Sequence, residues 1–495
     1  MILIKNEINR YQKNFWNNCL FHPTDAIEDS WGKRILDRMS EDKSIDMVRI
    51  YTMFEDIVYI DGNGDIAYDF RLTDLRLDYM VEKGYKLLLA YGMMPECIAV
   101  NKNAKSCVSK NKTRYKGKLI NTSIPVDYKI WEEICYTYTK HIIDRYGIEV
   151  VSEWRMQCMN EADDPAFFMS DVPIERVDIR LKEYCKLYTA FANGLQRASD
   201  KVHFGGPAAA FRVEFLSGFL DYVKENNIKT EFVSLHNYAG MEILKLRDGL
   251  QQFDVENWIR KQQSYIDVIS EHGFSDSEII VDEWGMISHG FFNIEECPPL
   301  IARETEVFSS YFVKLIYRIL EKKWKMSRLM ICLSGQHEMV TDFSGFRNFF
   351  TLNFFAKPIY NAFILGSKLH EGLLDAEADN ENIFVIPTES NDGKYAVLMT
   401  YCSENFKENL PEITQEIMFD ENINGKKVDV FCIDRQTTNP YRLYERMGIK
   451  EIGDDEIKLL KEEGQIKPIS SFVYDENNKI NLTLTANSVY LIEVK

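Results

Sequence analysis

Short apolar runs alternate with longer amphipathic stretches from the start of the chain to about residue 370. The runs are continuously apolar, which is typical of strands in a parallel sheet that is buried on both faces. The stretches between them place apolar side chains at helical spacing, as Ile130, Ile134 and Tyr138 do ahead of a stop at Gly147. We count eight strand-to-helix units if 357–369 is the eighth helix.

Eight such units in about 360 residues predict an α/β fold, a (β/α)8 barrel of the TIM type, over residues 15–370. Beyond that point the pattern changes to short strands separated by turn residues, with one helix near 455–463. This pattern of short strands and turns predicts a C-terminal antiparallel β-sandwich domain over 371–495. Residues 1–14 are candidates to add a strand to that domain. The polar, basic stretch 101–121 predicts a long surface loop.

Two of the predicted strands end in a glutamate. The first covers 149–159 and runs into Asn160 and Glu161, whereas the second covers 278–281 and is followed by Asp282 and Glu283. By our count they are the fourth and seventh strands of the barrel. Because the carboxyl ends of barrel strands meet around one mouth, we expect the two glutamates to face each other across a single pocket.

Two facing carboxylates suit the cleavage of a glycosidic bond. A retaining glycosidase needs them about 5–5.5 Å apart, one protonated to give its proton to the leaving oxygen and one ionised to attack the anomeric carbon. We predict Glu161 as acid/base with a raised pKa, and Glu283 as the nucleophile, held ionised by Arg49 at the end of the second strand. Asn160 is expected to bond a sugar hydroxyl beside the reacting carbon.

Each candidate also has an ordinary structural interpretation. The Asn-Glu dipeptide recurs at 6–7 and 380–381, and an isolated glutamate at a strand end is more often solvated or paired with a cation. Trp284 suits either a sugar platform or the core. The other strand-end candidates are His236 and Tyr238 after the sixth strand, which suit structural hydrogen bonds, and Glu338 after the eighth, which suits the surface. Catalysis is favoured only by the two strand-end glutamates taken together, in a chain whose strands and helices alternate as in a barrel.

Charge and cysteine content narrow the function. With 59 Lys and Arg against 77 Asp and Glu, the net charge of −18 disfavours a nucleic-acid partner and an anionic membrane surface, and it fits a neutral substrate. We predict no signal peptide and no membrane span, because the amino terminus lacks a charged segment followed by a long apolar one and no apolar run approaches about 20 residues. Ten scattered cysteines without a C-x-x-C pair indicate reduced thiols in a cytoplasmic protein.

Motifs for other chemistries are missing from the sequence. It contains no His-x-His, no spaced His/Asp cluster and no cysteine pair, so we predict no metal site. It also contains no glycine-rich phosphate loop and no G-x-S-x-G elbow, and we expect no cofactor. The expected partner is a small oligosaccharide or an aryl or alkyl glycoside.

At this point the chain resembles glycoside hydrolase family 39, whose bacterial members include β-xylosidases. The resemblance spans nearly the whole chain in the order FWNNC (15–19), VRI (48–50), HIIDRYG (141–147), NE (160–161), FGGP (204–207), FVSLHNY (232–238), DEW (282–284), KPIYNAF (357–363), NPYRL (439–443) and NSVYLIEV (487–494). It implies the same acid/base and nucleophile, a supporting Arg49, and sugar contacts from Asn160, His236, Tyr238 and Glu338. It also implies an accessory β-domain that includes the first residues, and homo-oligomers, since tetramers are seen in the family.

Departures from the family pattern surround the predicted glycone. Tyr51 stands where the family's xylosidases usually have a sugar-contacting histidine, and Ala162 stands where they have a proline after Asn-Glu. Residues Ile331 to Gly335 replace their Trp-Thr-Phe-Ser-Asp pattern. We expect Tyr51 and Trp284 to contact the sugar. The prediction is a retaining, exo-acting β-glycosidase for a β-xyloside. The alternatives are a β-glucoside, an arabinoside or a uronic acid as glycone, or a silent sugar-binding relative.

Overall fold

We describe the protein from a computed structural model of the 495-residue chain. The described residues are 1–21, 30–106, 119–240, 254–288, 293–333, 339, 341–403, 406, 409–475 and 479–495.

The strands are β1 (Ile2–Tyr11), β2 (Asn18–Leu20), β3 (Met47–Tyr51), β4 (Val58–Ile60), β5 (Ile66–Tyr68), β6 (Lys86–Tyr91), β7 (Lys105–Ser106), β8 (Ile120–Asn121), β9 (Arg155–Cys158), β10 (Phe204–Ala209), β11 (Phe232–Gly240), β12 (Glu278–Ile287), β13 (Met326–Cys332), β14 (Gly372–Ala378), β15 (Ile383–Glu389), β16 (Tyr395–Tyr401), β17 (Ile413–Phe419), β18 (Lys427–Ile433), β19 (Pro468–Val473), β20 (Ile480–Leu484) and β21 (Ser488–Val494). The α-helices of the described residues are α1 (Ser30–Glu41), α2 (Arg71–Glu82), α3 (Tyr128–Tyr146), α4 (Ile148–Val151), α5 (Val177–Ala198), α6 (Val213–Glu225), α7 (Val255–Glu271), α8 (Glu306–Lys322), α9 (Pro358–Gly366), α10 (Pro440–Met447) and α11 (Asp454–Glu463).

Eight parallel strands close into a barrel, which confirms the predicted (β/α)8 fold. The order around the ring is β2-β3-β6-β9-β10-β11-β12-β13, and β13 pairs with β2 to close it. Met47, Leu88, Phe232, Ile280 and Met330 form one buried cluster from five different barrel strands. The barrel is therefore packed with side chains, and a site has room only at its ends.

Helix α3 has a capping side chain at its start, a glycine after its last turn and an apolar face. The Asp127 side chain accepts the backbone N–H of Lys129 and caps the first turn. Gly147 follows the last turn with a φ of 83°, which favours glycine. Of the apolar stripe seen in the sequence, Ile134 and Tyr138 are buried and Ile130 is half-buried.

The predicted strand over 149–159 is wrong in its first half. Residues Ile148–Val151 form the short helix α4, and the strand β9 begins only at Arg155. The valines there suggested a strand, but this segment directly follows the glycine stop of α3. Its backbone closes a helical turn in which Ser152 N–H donates to the Ile148 carbonyl at 2.9 Å. Local turn geometry therefore overrides the β-propensity of two valines.

Three sequence predictions extend outside the described residues. One is the loop 101–121, of which residues 107–118 are not described, and the others are the helices that the sequence pattern predicts over 26–43 and 250–271, whose first residues are not described. The two described ends of the loop pair with each other as β7 and β8.

A second, open sheet of nine strands follows the barrel in the order β19-β18-β21-β16-β15-β14-β1-β17-β20. Every neighbouring pair is antiparallel except β1 with β17, which is parallel, so the sheet is mixed. The parallel pair arises because β1 comes from the amino terminus and inserts between β14 and β17. The division of the chain near residue 370 remains a prediction.

The middle strands of this sheet are buried on both faces. In β16, Ala396 and Leu398 belong to the same buried cluster as the barrel, whereas Val397 and Met399 belong to a second cluster with Ile2 and other residues of the sheet. Alternate residues of a strand point to opposite faces. One face of the sheet therefore packs on the barrel, and the other forms a core of its own.

Glu306, at the start of α8, joins the two parts of the fold. Its buried carboxylate accepts from Arg442 Nε at 3.1 Å and Nη2 at 2.9 Å, and from Asn439 Nδ2 at 2.9 Å. Replacing Glu306 by alanine is expected to lower the free energy of unfolding by about 3–5 kcal/mol, because it leaves a largely buried guanidinium with the exposed Glu445 as its anion. Urea unfolding would measure this loss. Lys140→Ala, in an exposed ion pair, should change the same quantity by less than about 1 kcal/mol.

Candidate active site

Glu161 lies on a left-handed turn where β9 ends. Met159 and Glu161 have φ angles of 62° and 44°, a backbone region that non-glycine residues rarely occupy. Glu161 N–H donates to the Ala208 carbonyl of the neighbouring strand β10 at 3.2 Å and helps to fix the turn. Strained backbone of this kind persists where the surroundings enforce it, and it concentrates at functional sites.

The strand β12 carries Asp282 and Glu283 side by side. Neighbours along a regular strand point to opposite faces. Here the pairing with β11 skips one residue, because Val281 pairs with Leu235 and the next residue to pair, with His236, is Glu283. The skipped residue forms a β-bulge, a feature that re-aims side chains. Both carboxylates consequently reach the same arginine of β3.

That arginine, Arg49, is fully buried and distributes its guanidinium over three acceptors. Nη1 donates to Glu283 Oε1 at 2.8 Å, and Nη2 donates to Asn160 Oδ1 at 2.6 Å. Nε lies 3.0 Å from Asp282 Oδ2. A planar guanidinium suits several carboxylate and amide oxygens at fixed angles. Arg49 therefore ties together the ends of β3, β9 and β12.

His236 lies between the two glutamates. Its Nδ1 is 2.7 Å from Glu161 Oε1 and 3.7 Å from Glu283 Oε2, and its Nε2 is 3.4 Å from Asp282 Oδ2. One ring nitrogen and one oxygen of each glutamate all lie within 4.8 Å of one another. The two strand-end glutamates therefore share one site, with a histidine in contact with both.

The two glutamates differ in their preferred charge. Burial raises the pKa of Glu161 to about 7, and the negative charge of Glu283 adds to the rise, although His236 opposes it. Burial acts in the same direction on Glu283, but the positive charges of His236 and Arg49 outweigh it and hold its pKa at about 2. Near neutral pH one carboxyl can give a proton while the other attacks as an anion.

Three further side chains surround the carboxylate of Glu283. The Tyr238 hydroxyl donates to Oε2 at 2.9 Å, and the Tyr51 hydroxyl lies 3.5 Å from Oε1. Arg347 Nη1 donates to the Tyr238 oxygen at 3.0 Å and to the Ser288 carbonyl at 2.7 Å. The nucleophile position is therefore held from both sides by hydroxyl and guanidinium groups.

Two residues predicted for the site are not placed there. Trp284 is fully buried, and its ring stacks on those of Tyr311 and Phe312 in α8, with centroids 6.3 Å and 6.0 Å away. It takes the core role, the second of the two considered for it, and the contact with sugar was wrongly expected. Glu338 lies outside the described residues, as does Gly335.

The sequence analysis missed two charged residues of the site. Asp282 was visible next to Glu283, but strand alternation would have placed it on the opposite face, and only the bulge turns it inward. Arg347 gave a different signal, because it is the one charged residue in the aromatic stretch FSGFRNFF at 343–350. A lone charge in such a stretch must find a polar partner, and here it finds Tyr238.

The trio of Glu161, His236 and Glu283 has a spacing that could hold a metal ion. Its atoms are already engaged with one another and with Arg49, since a 2.7 Å contact joins the imidazole to Glu161 and the guanidinium donates to Glu283. Positive charge beside the carboxylate disfavours a cation. The trio therefore fits a metal ion poorly.

A packed parallel barrel with a proton-donating and an anionic carboxyl at the ends of its strands defines the class of glycoside hydrolases. The family model "Glycosyl hydrolases family 39" matches residues 1–471, and the chain belongs to that family. The resemblance drawn from the sequence motifs is thereby confirmed.

Relatives and solved structures agree with this assignment. A β-xylosidase of Caldicellulosiruptor saccharolyticus is 22% identical over 503 residues, covering 97% of this chain and 95% of the relative. An α-L-iduronidase of Canis lupus familiaris is 28% identical over only 118 residues, or 21% of this chain and 17% of that protein. The crystal structure of a monomeric β-xylosidase from Caulobacter crescentus CB15 has a TM-score of 0.82 at 18% identity, covering 100% of this chain and 99% of that one.

Proposed function

We propose that the protein is a retaining, exo-acting β-glycosidase that hydrolyses short oligosaccharides by double displacement. The observation that carries the proposal is the approach of the Glu161 and Glu283 carboxylate oxygens to within 4.8 Å. Retaining enzymes hold their two carboxyl groups about 5–5.5 Å apart, whereas inverting enzymes keep about 6.5–9.5 Å to admit a water molecule. The opposed pKa values support Glu161 as acid/base and Glu283 as nucleophile.

In the first step Glu283 attacks the anomeric carbon and forms an ester with the sugar. The glycosidic C–O bond breaks, and the leaving oxygen takes the proton of Glu161. Asn160, whose Oδ1 is held by Arg49, is positioned to donate from its amide nitrogen to a sugar hydroxyl next to that carbon.

In the second step Glu161 acts as the base. Ester formation removes the negative charge of Glu283, and with it one of the causes that raise the pKa of Glu161. The ionised Glu161 takes a proton from a water molecule, whose oxygen attacks the same carbon. The ester bond breaks, Glu283 is again a carboxylate, and the sugar leaves with its original configuration.

A β-xyloside is our first choice of substrate, because relatives over most of the chain length are β-xylosidases by name. The test is a panel of p-nitrophenyl glycosides: β-xyloside, β-glucoside, β-galactoside, α-arabinoside and β-glucuronide. Proton NMR would follow the configuration of the first sugar released. We expect turnover of the xyloside with retention. Release of the inverted anomer would refute double displacement, and silence across the panel would favour a sugar-binding relative without activity.

A uronic acid glycone is the second candidate, and Arg347 favours it. This guanidinium lies beside the Glu283 network through Tyr238, and an arginine can bind a sugar carboxylate with two parallel hydrogen bonds. Relatives named α-L-iduronidase match over about a fifth of the chain. Faster turnover of the β-glucuronide than of the β-xyloside would select this alternative.

The pH dependence of kcat/KM is expected to report Glu161. Activity should be present below a pKa of about 7 and lost as the pH rises through it, because only the protonated carboxyl can donate. Glu283 remains ionised down to about 2, so its limb lies far to the acid side. Rates measured between about pH 4 and 9 would show this falling basic limb. A basic limb that persists unchanged in Glu161→Gln would assign it to another group.

We also propose a cytoplasmic protein that forms homo-oligomers. The cysteines among the described residues are all free thiols, and most are buried, as expected in a reducing compartment. In the part of the chain that the structure describes, no helix combines the length and apolar character needed to cross a membrane. Light scattering coupled to gel filtration would distinguish the tetramer expected from the family from a monomer, the state named for the Caulobacter enzyme.

A further inference from the structure

Asp282 forms a fully buried carboxylate behind the two glutamates. Its Oδ2 lies 3.0 Å from Arg49 Nε and 3.4 Å from His236 Nε2, and it accepts a hydrogen bond from Gln157 Nε2 at 3.0 Å. It is too deep to touch a sugar. A buried charge that does not meet the substrate is costly unless it has a partner that needs it. The question is which partner that is.

Arg49, His236, Asp282 and the two glutamates form a buried cluster, behind the half-buried Arg347, whose charges balance only if Asp282 is counted. Arg49 and His236 supply two positive charges when the imidazole carries both protons. Asp282 supplies one negative charge, so one further negative charge makes the cluster neutral. Before the reaction that charge is on Glu283, and Glu161 is protonated.

The balance is kept once the sugar is attached. Glu283 is then a neutral ester, and the remaining negative charge falls to Glu161, which is the charge state of a base. The cluster thus permits one ionised glutamate at a time, provided that His236 stays charged throughout. Burial works against the charged imidazole, and it is the neighbouring carboxylates that oppose this effect.

We propose that Asp282 is a positioning residue that keeps His236 doubly protonated after Glu283 has become an ester, so that Glu161 remains an ionised base. This role rests on the proposed double displacement. His236 keeps both of its protons throughout: Nδ1–H donates to Glu161, and Nε2 stays within 3.4 Å of the Asp282 carboxylate. The proton that moves passes from Glu161 to the leaving oxygen, and later from water to Glu161.

The groups that face the imidazole limit the alternatives. Glu161 comes from the end of β9, and Asp282 and Glu283 come from β12. The other titratable or charged groups of the site surround Glu283 or Asp282, and they are Arg49, Tyr51, Tyr238, Arg347 and Cys332. Once Glu283 is esterified, Asp282 is the one described carboxylate besides Glu161 within 4 Å of the ring.

The test is Asp282→Asn with a 2,4-dinitrophenyl glycoside of the sugar that the panel selects. Such a leaving group needs no acid, so hydrolysis of the intermediate limits kcat. We expect kcat and KM to fall together by about tenfold or more, because the intermediate accumulates, while kcat/KM changes by less than about threefold. Reactivation of the 2-fluoroglycosyl-enzyme should slow by a similar factor, with its pH midpoint moved upward.

The matched control is Gln157→Met, which removes a neutral hydrogen bond to the same carboxylate oxygen. Gln157→Met should change the formation and the hydrolysis of the ester by the same factor, so that kcat/KM and kcat change together. If Asp282 only anchors Arg49, then Asp282→Asn will lower kcat/KM at least as much as kcat, and the inference fails. A pH midpoint of reactivation that moves to lower pH would also contradict it, because His236 would then keep its charge in the glycosyl-enzyme without Asp282.

A second measurement needs no turnover and no variant of Asp282. Nitrogen-15 NMR of histidine-labelled protein, with His236→Gln to assign the signal, reads the protonation of both ring nitrogens. We expect an imidazolium at neutral pH before and after reaction with a 2-fluoroglycoside. A neutral ring in the glycosyl-enzyme would overturn the inference while the double displacement stands. An enzyme that forms no glycosyl ester would instead refute the proposed function, and with it the second half of this inference.

Discussion

Replacement of Glu283 by glutamine is expected to reduce kcat by roughly 10⁴-fold or more, with little change in the binding of substrate. An amide cannot attack the anomeric carbon, and neither Arg49 nor Tyr238 offers a substitute nucleophile. The shape of the site should survive, since the amide oxygen can still accept from the Arg49 guanidinium and the amide NH2 can donate to the Tyr238 oxygen. Steady-state kinetics with the best p-nitrophenyl glycoside would measure the loss. Mass spectrometry after a 2-fluoroglycoside should find the ester on the native protein only.

The matched control is Glu278→Gln, at the first residue of the same strand. Glu278 pairs with Arg155 at 3.0 Å at the opposite end of β12 and should leave kcat within about twofold. A Glu283→Gln variant that keeps most of its activity would assign the nucleophile to another residue. An ester found on Glu161 instead would reverse the two roles.

The barrel and the meeting of its two glutamates follow from features that the sequence displays. Eight apolar runs separated by helical stretches allow few arrangements, and parallel strands bring their carboxyl ends to one mouth. Arg49 lies beside Glu283 for the same reason, because parallel strands of one barrel carry both, although β12 continues past Glu283 to Ile287. Such inferences depend on topology and tolerate an error of several residues in a strand boundary, as happened at Ile148–Val151.

Details that depend on strand register and side-chain packing could not be predicted from the sequence. The bulge at Asp282 is a difference of one residue in pairing, and nothing in the local sequence requires it. In the sequence, a tryptophan of the core cannot be told from one that stacks on a sugar. Only the packing of helix α8 against Trp284 shows that it belongs to the core. The parallel insertion of β1 joins segments more than 400 residues apart. Such long-range pairings leave no local periodicity to detect.

Removal of the acid/base group should have an effect that depends on the leaving group. Glu161→Ala is expected to lower kcat/KM by roughly 10²–10⁴-fold for a disaccharide, whose leaving alkoxide needs a proton. For a 2,4-dinitrophenyl glycoside the loss in kcat/KM should be small, because that leaving group departs without one. Its kcat should still fall, since the water that attacks the ester has lost its base.

Azide separates this role from a structural one. A small anion can enter the space left by the Glu161 side chain and attack the ester without a base, so it should restore kcat of Glu161→Ala with the dinitrophenyl glycoside. The product should be the glycosyl azide of retained configuration. Azide should not rescue Glu283→Gln, which forms no ester. Equal losses with both leaving groups, and no response to azide, would show that Glu161 supports the fold of the site, and the acid/base role would have to pass to another group. His236, at 2.7 Å from Glu161 and 3.7 Å from Glu283, would be the first to examine.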